Sequence, residues 1–173
     1  CLAAFLGRND IYKETYNEMI ASLDPLNPYD APRTATANCL AEEGHGNLEL
    51  SLQLASRSAA ANPANLQSYL GFALALHRSG KHSSSRTLVT RLLAQRPGNT
   101  RLLTALRLVE ILATIAEGDR DQATARMELS RVQIAELPAL TSGKLGNNWH
   151  ERLIVELLAA EVEKQLQSPA DAP

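Results

Sequence analysis

The chain has few aromatic residues, only two cysteines and no long hydrophobic run. Aromatic residues make up 4% of its 173 positions although 45% of the positions are hydrophobic, and Ala and Leu are abundant. Small and straight-chain apolar residues favour helices, whereas sheets use β-branched and aromatic residues. The composition therefore predicts an all-α protein, and the shortage of flat rings argues against a site that stacks bases or sugars.

Cys1 and Cys39 are too few for a disulfide framework and cannot hold zinc without further ligands. No run reaches the ~18 apolar residues of a membrane span, so we expect no transmembrane helix. The chain starts without Met, and Leu2 to Leu6 is typical of a shortened helix, which indicates a piece of a longer, cytoplasmic polypeptide. The alternative is a mature bacterial lipoprotein acylated at Cys1 and placed outside the cytoplasm.

Acidic residues are missing from one long stretch, residues 50–109, which holds eight bases. Residues 1–49 hold eight acids and three bases, a net charge of −5, and residues 110–173 hold eleven acids and six bases, again −5. A basic middle between acidic ends favours an acidic protein or peptide partner. The alternative is that neighbouring segments neutralise one another. Nucleic acid is not expected, because the basic stretch has few aromatics for base stacking and the whole chain is acidic.

No cluster of reactive side chains stands out. The histidines are His45, His77, His82 and His150, and His77 and His82 are expected at an exposed helix end without a nearby third ligand. Ser83 to Ser85 have no acid nearby in sequence that would orient a base. We therefore predict no catalytic residue, no metal site and no cofactor, so that this chain is not an enzyme.

What the chain does have is internal repetition with a period of 34 residues. Gly46 aligns with Gly80, Pro63 with Pro97 and Asn65 with Asn99; further matches at the same separation are Leu40 with Leu74, Ser51 with Ser85, Leu54 with Leu88 and Arg57 with Arg91. Glycine ends a helix through its positive φ, and proline cannot continue the helix before it. The pattern predicts repeated helix–turn–helix units and resembles that of tetratricopeptide repeats.

The resemblance implies one α-solenoid domain over residues 1–167, followed by a disordered tail at 168–173. Its parts are a partial repeat at 1–31, repeats at about 32–64, 65–98 and 99–137, and a C-terminal capping helix at 147–167. Loops are expected at 24–32 and 138–146. Trp149, Leu153 and Leu157 recur at helical spacing, so we expect them to be buried against the preceding helix.

Several segments together also resemble the C-terminal repeat region of large bacterial, planctomycete-type serine/threonine protein kinases. They are residues 7–20, 31–40, 69–80 and 149–163, which include Gly7-Arg8-Asn9-Asp10, Tyr69-Leu70-Gly71 and Trp149-His150-Glu151-Arg152-Leu153. The kinase's own catalytic motifs are missing. The resemblance implies a non-catalytic scaffold or recruiting module of a larger kinase.

In tetratricopeptide solenoids the first helices of the repeats line a concave groove that binds peptides or helices. This implies a protein-binding groove formed by Gln67, Leu70, Leu74, His77 and Arg78, with the two leucines as its floor. In the preceding repeat the corresponding residues are Arg33, Thr36, Leu40 and Glu43. Leu70 and Leu74 stand where chaperone-binding relatives carry Lys and Asn, which indicates a more apolar ligand than a terminal carboxylate.

Overall fold

The computed structural model describes residues 2–24, 30–40, 47–96, 98, 100–140 and 148–168. Over these ranges all regular structure is helical and no strand occurs, so the predicted all-α class is confirmed. The helices are α1 (Leu2–Phe5), α2 (Asn9–Ala21), α3 (Asp30–Cys39), α4 (Leu48–Ala61), α5 (Leu66–Arg78), α6 (His82–Gln95), α7 (Arg101–Ala116), α8 (Arg120–Glu136) and α9 (Trp149–Gln167).

Glycine turns join α5 to α6 and α7 to α8. Gly80 has φ 74° and Gly118 has φ 88°, a left-handed conformation that a residue without Cβ adopts at no steric cost. After Gly80, the N–H of Lys81 donates back to the carbonyl of Leu76 at 2.9 Å, which closes a Schellman turn. The predicted helix end at Gly80 is thus confirmed, Gly118 ends α7 in the same way, and Gly46 lies outside the described residues.

Polar side chains fix the starts of α4, α5, α7 and α8. In each helix a side-chain oxygen accepts from a backbone N–H of the first turn, which otherwise lacks an intrahelical partner. The pairs are Asn47 with Leu50, Asn65 with Gln67, Thr100 with Leu103, and Asp119 with Gln122. The Asn65 that follows Pro63 in the repeat pattern therefore starts the next helix.

The helices from α3 onward alternate between two layers. In one layer α3 packs against α5, α5 against α7 and α7 against α9, while α4, α6 and α8 each pack only against the helices before and after them in sequence. Arg101 and Glu151, at the starts of α7 and α9, lie 3.9 Å apart, so these two helices run parallel. Arg120 at the start of α8 donates to carbonyls at the end of α9, so that pair runs antiparallel.

The first helices close back onto the last one. α1 packs against α9, and α2 packs against α3, where the Tyr12 hydroxyl donates to the carbonyl of Ala37. Tyr12 belongs to the same core cluster as residues of α5, α7 and α9. The centre of that core is made of fully buried aliphatic side chains, among them Leu70, Leu74, Leu106, Leu108, Ile111, Leu112, Ile154 and Leu158.

Some predicted boundaries need correction. The predicted loop at 24–32 ends earlier, because α3 begins at Asp30 and includes Pro32; a proline is tolerated in the first turn, where backbone N–H groups have no helical partner. The capping helix begins at Trp149. Positions 141–147 of the second loop, and the tail beyond Ser168, lie outside the described residues.

The expected burial of the capping helix is only partly right. Leu153 is buried at 3% exposure, Leu157 is half-buried, and Trp149 is 44% exposed, with its ring edge-on to His150. Trp149 is the first residue of α9, so only later turns face α7 and α8. The side chains that fill the core are Ile154, Val155, Leu158 and Val162, one helical face starting a turn later.

Candidate protein-binding site

The inner face of α5, predicted as the open groove, is covered. Leu70 and Leu74 have no exposed surface, and His77 is 6% exposed, while Gln67 remains half-buried. The predicted exposure of the two leucines is therefore wrong, and binding at this face stays a prediction. Their side chains belong to the central core cluster, and α5 packs against α3, α4, α6 and α7, so helices of the same chain cover this face.

The predicted face of the preceding repeat is covered in the same way. Thr36 is 2% exposed and Leu40 is 4% exposed, while Arg33 stays on the surface. Glu43 lies outside the described residues. The inner surfaces of α3 and α5 therefore form core rather than an open channel.

Arg78 is held in a buried ion pair with α9. Its two terminal nitrogens each lie 2.6 Å from a carboxylate oxygen of Glu161, and the side chains are 6% and 7% exposed. Arg78 Nε also donates to the carbonyl of Cys39 at 3.0 Å, and Gln165 donates to Glu161. A bidentate guanidinium–carboxylate contact has both strength and a fixed geometry. Arg78 therefore ties together α3, α5 and α9 and does not form the polar edge of an open site.

His77 and His82 meet across the Gly80 turn, with their Nδ1 atoms 3.1 Å apart, so one ring donates and the other accepts. The expectation of two exposed histidines is wrong for His77. Burial, together with the charges of Arg78 and His82, lowers the pKa of His77 to about 3. His77 is therefore neutral at physiological pH, and its place in the fold depends on staying so.

Cys39 fills a packing position. It is fully buried, and burial raises the pKa of its thiol to about 12, partly countered by the charge of Arg78. A thiol with so high a pKa is a poor nucleophile at neutral pH. Beside it, Asn38 donates to the Ser51 hydroxyl at 2.8 Å, so a buried hydrogen bond joins α3 to α4.

The basic middle of the sequence is largely used inside the molecule. Besides Arg78, Arg86 pairs with Glu117 at 2.7 Å and Arg101 lies 3.9 Å from Glu151, so bases of residues 50–109 meet acids of the last third. Arg96 and Arg107 donate to backbone carbonyls. Among the described residues only three bases of this stretch stay exposed without an ion-pair partner: Arg57, Lys81 and Arg91. This supports mutual neutralisation over a basic docking band.

An open apolar cavity lies instead at the first helices. It measures about 390 Å³ and lies between α1, α2 and the end of α3, lined by Ala3, Leu6, Arg8, Ile11, Tyr12, Thr15, Tyr16, Met19 and Ala37. Leu6 is 62% exposed and Ile11 39% exposed, while Tyr12 and Tyr16 are buried at its base. Burial raises the pKa of Tyr16, which keeps its hydroxyl protonated. We call this space the α1–α2 cavity.

The sequence pattern contains a signal for this cavity. Ile11, Thr15 and Met19 follow one another at four-residue spacing, as do Tyr12 and Tyr16, which makes one face of α2 apolar over three turns. This face stays partly open because of the way α1 and α3 pack beside α2, and local periodicity does not report such long-range packing. The ion pair between Arg78 and Glu161 likewise joins residues far apart in sequence, without a local pattern.

Within the described ranges, no group of three or more His, Cys, Asp or Glu side chains is placed to hold a metal ion. No helix in the same part of the chain is both long and apolar enough to cross a membrane. Comparison with protein-family models, with curated proteins and with solved structures found no match for this chain.

Proposed function

We propose that this chain is a tetratricopeptide-like helical scaffold that binds another protein. The 34-residue period and the glycine turns at Gly80 and Gly118 support the repeat assignment. So does the two-layer packing, in which α3, α5, α7 and α9 lie side by side and each outer helix contacts only its sequence neighbours. Because the turns are short, a partner would contact mainly the faces of the helices.

The observation that carries the proposal is the exposed apolar surface of the first two helices. Phe5, Leu6 and Ile11 are 42%, 62% and 39% exposed, and Leu6 and Ile11 line the α1–α2 cavity. A contiguous exposed apolar surface on a helical scaffold is typical of a protein–protein interaction site. The binding surface in this proposal is therefore the α1–α2 end and not the covered face of α5.

We propose from the sequence resemblance that this scaffold belongs to a larger serine/threonine kinase of the planctomycete type, where it would recruit substrates or regulators to the kinase domain. The coding sequence upstream tests this part. A kinase domain with His-Arg-Asp and Asp-Phe-Gly motifs supports it. A secretion signal ending at Cys1 supports the lipoprotein alternative and contradicts the kinase assignment.

Affinity capture with matched variants tests the binding function. The chain and the double variant Leu6→Glu/Ile11→Glu are immobilised and exposed to extract of the source cells, with Leu129→Glu on α8 as the control. Leu129 is 69% exposed and far along the chain from the cavity, so that variant carries a similar new charge on an exposed leucine. We expect proteins that bind saturably to the chain and to Leu129→Glu but not to the double variant. Equal capture by all three, or by none, contradicts the proposed function at this surface.

A further inference from the structure

We propose that His77 and His82 form a binding site for a divalent metal ion of the class that prefers imidazole ligands, such as Zn²⁺. The site lies at the turn between α5 and α6 and shares no residue with the α1–α2 cavity, so it goes beyond the proposed protein-binding function. Three features of the described residues carry it: the distance between the two rings, the turn that sets this distance, and the charges around the pair.

The distance between the two rings fits two ligands of one ion. The Nδ1 atoms of His77 and His82 lie 3.1 Å apart, and the ring centroids lie 4.9 Å apart with the planes tilted by 58°. Zinc binds imidazole nitrogen at about 2.0–2.1 Å, so two nitrogens on one zinc at an angle of roughly 95–110° lie about 3.0–3.4 Å apart. A small rotation of each ring therefore brings both lone pairs onto one ion without a movement of either helix.

The turn around Gly80 holds the two histidines at this distance. Gly80 has a φ of 74°, its N–H donates to the carbonyl of His77 at 3.0 Å, and the N–H of Lys81 donates to the carbonyl of Leu76 at 2.9 Å. His82 is the first residue of α6, so both rings stand on helix ends that this turn joins. A pair that is already in place loses little conformational entropy when a ligand binds.

The charges around the pair leave His77 able to act as a ligand. A metal ion binds neutral imidazole, and burial, together with the charges of Arg78 and His82, lowers the pKa of His77 to about 3. Both terminal nitrogens of Arg78 lie 2.6 Å from carboxylate oxygens of Glu161, which offsets the repulsion between this guanidinium and a second cation. Lys81 is exposed, so water and salt screen its charge.

The pair forms an open site and not a closed structural one. His77 is 6% exposed and His82 is half-buried, so an ion approaches from the side of His82. Within the described residues no set of three His, Cys, Asp or Glu side chains is placed to hold an ion, so water fills the remaining coordination positions. Imidazole nitrogen selects zinc, copper and nickel over magnesium and calcium, which prefer oxygen ligands.

The alternative is a pair of histidines with a structural role only. Without an ion, one ring donates its Nδ1 hydrogen to the other. Binding of an ion moves that hydrogen to Nε2 of the same ring, so both Nδ1 lone pairs face the ion and both rings stay neutral. A purely structural pair keeps its hydrogen bond in the presence of Zn²⁺, and this difference can be measured.

Titration of the intact chain with Zn²⁺ tests the site. All proteins in the test carry Cys1→Ser, because a thiol beside a terminal amine binds zinc by itself. Competition with a chromophoric chelator measures the affinity for Zn²⁺, and Mg²⁺ is the control ion. We expect one Zn²⁺ per chain, no binding of Mg²⁺, and a melting temperature that rises with the Zn²⁺ concentration because the ion binds the folded state.

Three variants locate the ion. His82→Gln removes the more exposed ligand, and loss of a direct ligand should weaken Zn²⁺ binding by at least about tenfold, as loss of an outer-shell partner already does. His77→Gln should have the same effect. His150→Gln, which removes a histidine of α9, should leave the affinity and the rise in melting temperature unchanged. Circular dichroism checks that each variant keeps its helicity.

X-ray absorption spectroscopy of the Zn²⁺-loaded chain needs no substitution at the site and should show two imidazole ligands. The inference is overturned by absence of saturable Zn²⁺ binding, by unchanged affinity in His82→Gln, or by a spectrum with fewer than two imidazoles. Loss of binding in His150→Gln places the ion elsewhere and overturns it as well. None of these results alters the capture expected at the α1–α2 cavity, so the inference and the proposed function fail separately.

Discussion

At the scale of single residues, the main departures from the sequence pattern are polar groups that the fold buries. His77 is predicted at an exposed helix end, yet it is 6% exposed and faces His82. Arg78 ends the same helix and turns inward to Glu161. Nothing local distinguishes an inward from an outward Arg78 in the last turn of α5, because its partner Glu161 lies 83 positions later in the sequence.

The buried His77 predicts a loss of stability in mild acid. The pKa of His77 is about 3 in the folded chain and 6.5 ordinarily. Below pH 6.5 the unfolded chain therefore binds a proton at His77, whereas the folded chain does not. The contribution of His77 is complete above pH 6.5 and is lost as pH falls toward 3. Between pH 6.5 and pH 5 this costs about 2 kcal/mol, at about 1.4 kcal/mol per pH unit.

Urea unfolding at pH 7.5 and pH 5.0 measures this loss, and His77→Gln is the reference because it removes one titration and keeps a polar side chain for His82. We expect the free energy of unfolding to fall more in the wild type than in the variant. A lowered pKa of His150, caused by burial and by the charges of Arg33 and Arg101, contributes equally to both proteins and cancels in the comparison. Identical pH dependence in the two proteins contradicts the buried, neutral state of His77.

At the scale of elements, the repeat pattern predicts helix ends well and helix environment less well. The turns at Gly80 and Gly118 follow from residues that must adopt positive φ, and Asn65 and Thr100 cap helices through contacts only two or three residues away. These are local effects, so one sequence is enough to locate them. The predicted burial of Trp149 is wrong. Apolar residues at helical spacing indicate which face of a helix is buried, but they do not indicate at which turn a neighbouring helix begins to cover that face.

The close approach of α3 and α5 depends on Gly71, where a side chain has little room. A Cβ at this position would lie 2.9 Å from Thr36 Oγ1 and 3.2 Å from the carbonyl oxygen of Pro32. Replacing Gly by Ala inside a helix normally stabilises it by up to about 1 kcal/mol. Here we expect Gly71→Ala to destabilise the protein by about 1–3 kcal/mol, because the backbone of α3 must shift.

Chemical denaturation of Gly71→Ala, Thr36→Ala and the double variant measures this effect. Thr36→Ala removes the nearer contact, so the double variant should lose less stability than the sum of the single changes. The carbonyl of Pro32 still limits the recovery. A Gly71→Ala protein that is more stable than the wild type would show that α3 does not pack closely on α5.

At the scale of the whole molecule, α1 and α9 pack against each other, and the inner face of α5 is covered by the neighbouring helices of the same chain. The pattern of repeats predicts an array whose inner face stays open to a ligand. In the structure α9 continues the inner layer beyond α7, α1 packs against it, and Ile154, Leu158 and Val162 join the cluster of Leu70 and Leu74. Whether the inner face is covered depends on the number of repeats and on the position of the last helix. Both depend on long-range packing, which the 34-residue period does not predict.

The last prediction concerns the ion pair that holds α9 to the end of α5. Removing Arg78 with Arg78→Met leaves the Glu161 carboxylate buried, with Gln165 as its remaining side-chain donor. An uncompensated buried charge of this kind costs about 3–5 kcal/mol. Replacing both residues, Arg78→Met/Glu161→Met, removes the stranded charge, so we expect the double variant to recover much of the loss. Full recovery is prevented by the Cys39 carbonyl, which loses the donor that Arg78 supplied.

The matched control is Arg131→Met/Glu163→Met with its two single variants. This pair also reaches α9, at 3.2 Å, but its side chains are 47% and 43% exposed, so solvent screening limits its coupling to about 0–1 kcal/mol. Urea denaturation at neutral pH, at low and high salt, gives the coupling energy of each pair through a double-mutant cycle. We expect a large coupling for Arg78 with Glu161 that changes little with salt, because a buried pair is screened weakly. A coupling no larger than that of the exposed pair would mean that the Arg78–Glu161 pair is not buried between α5 and α9.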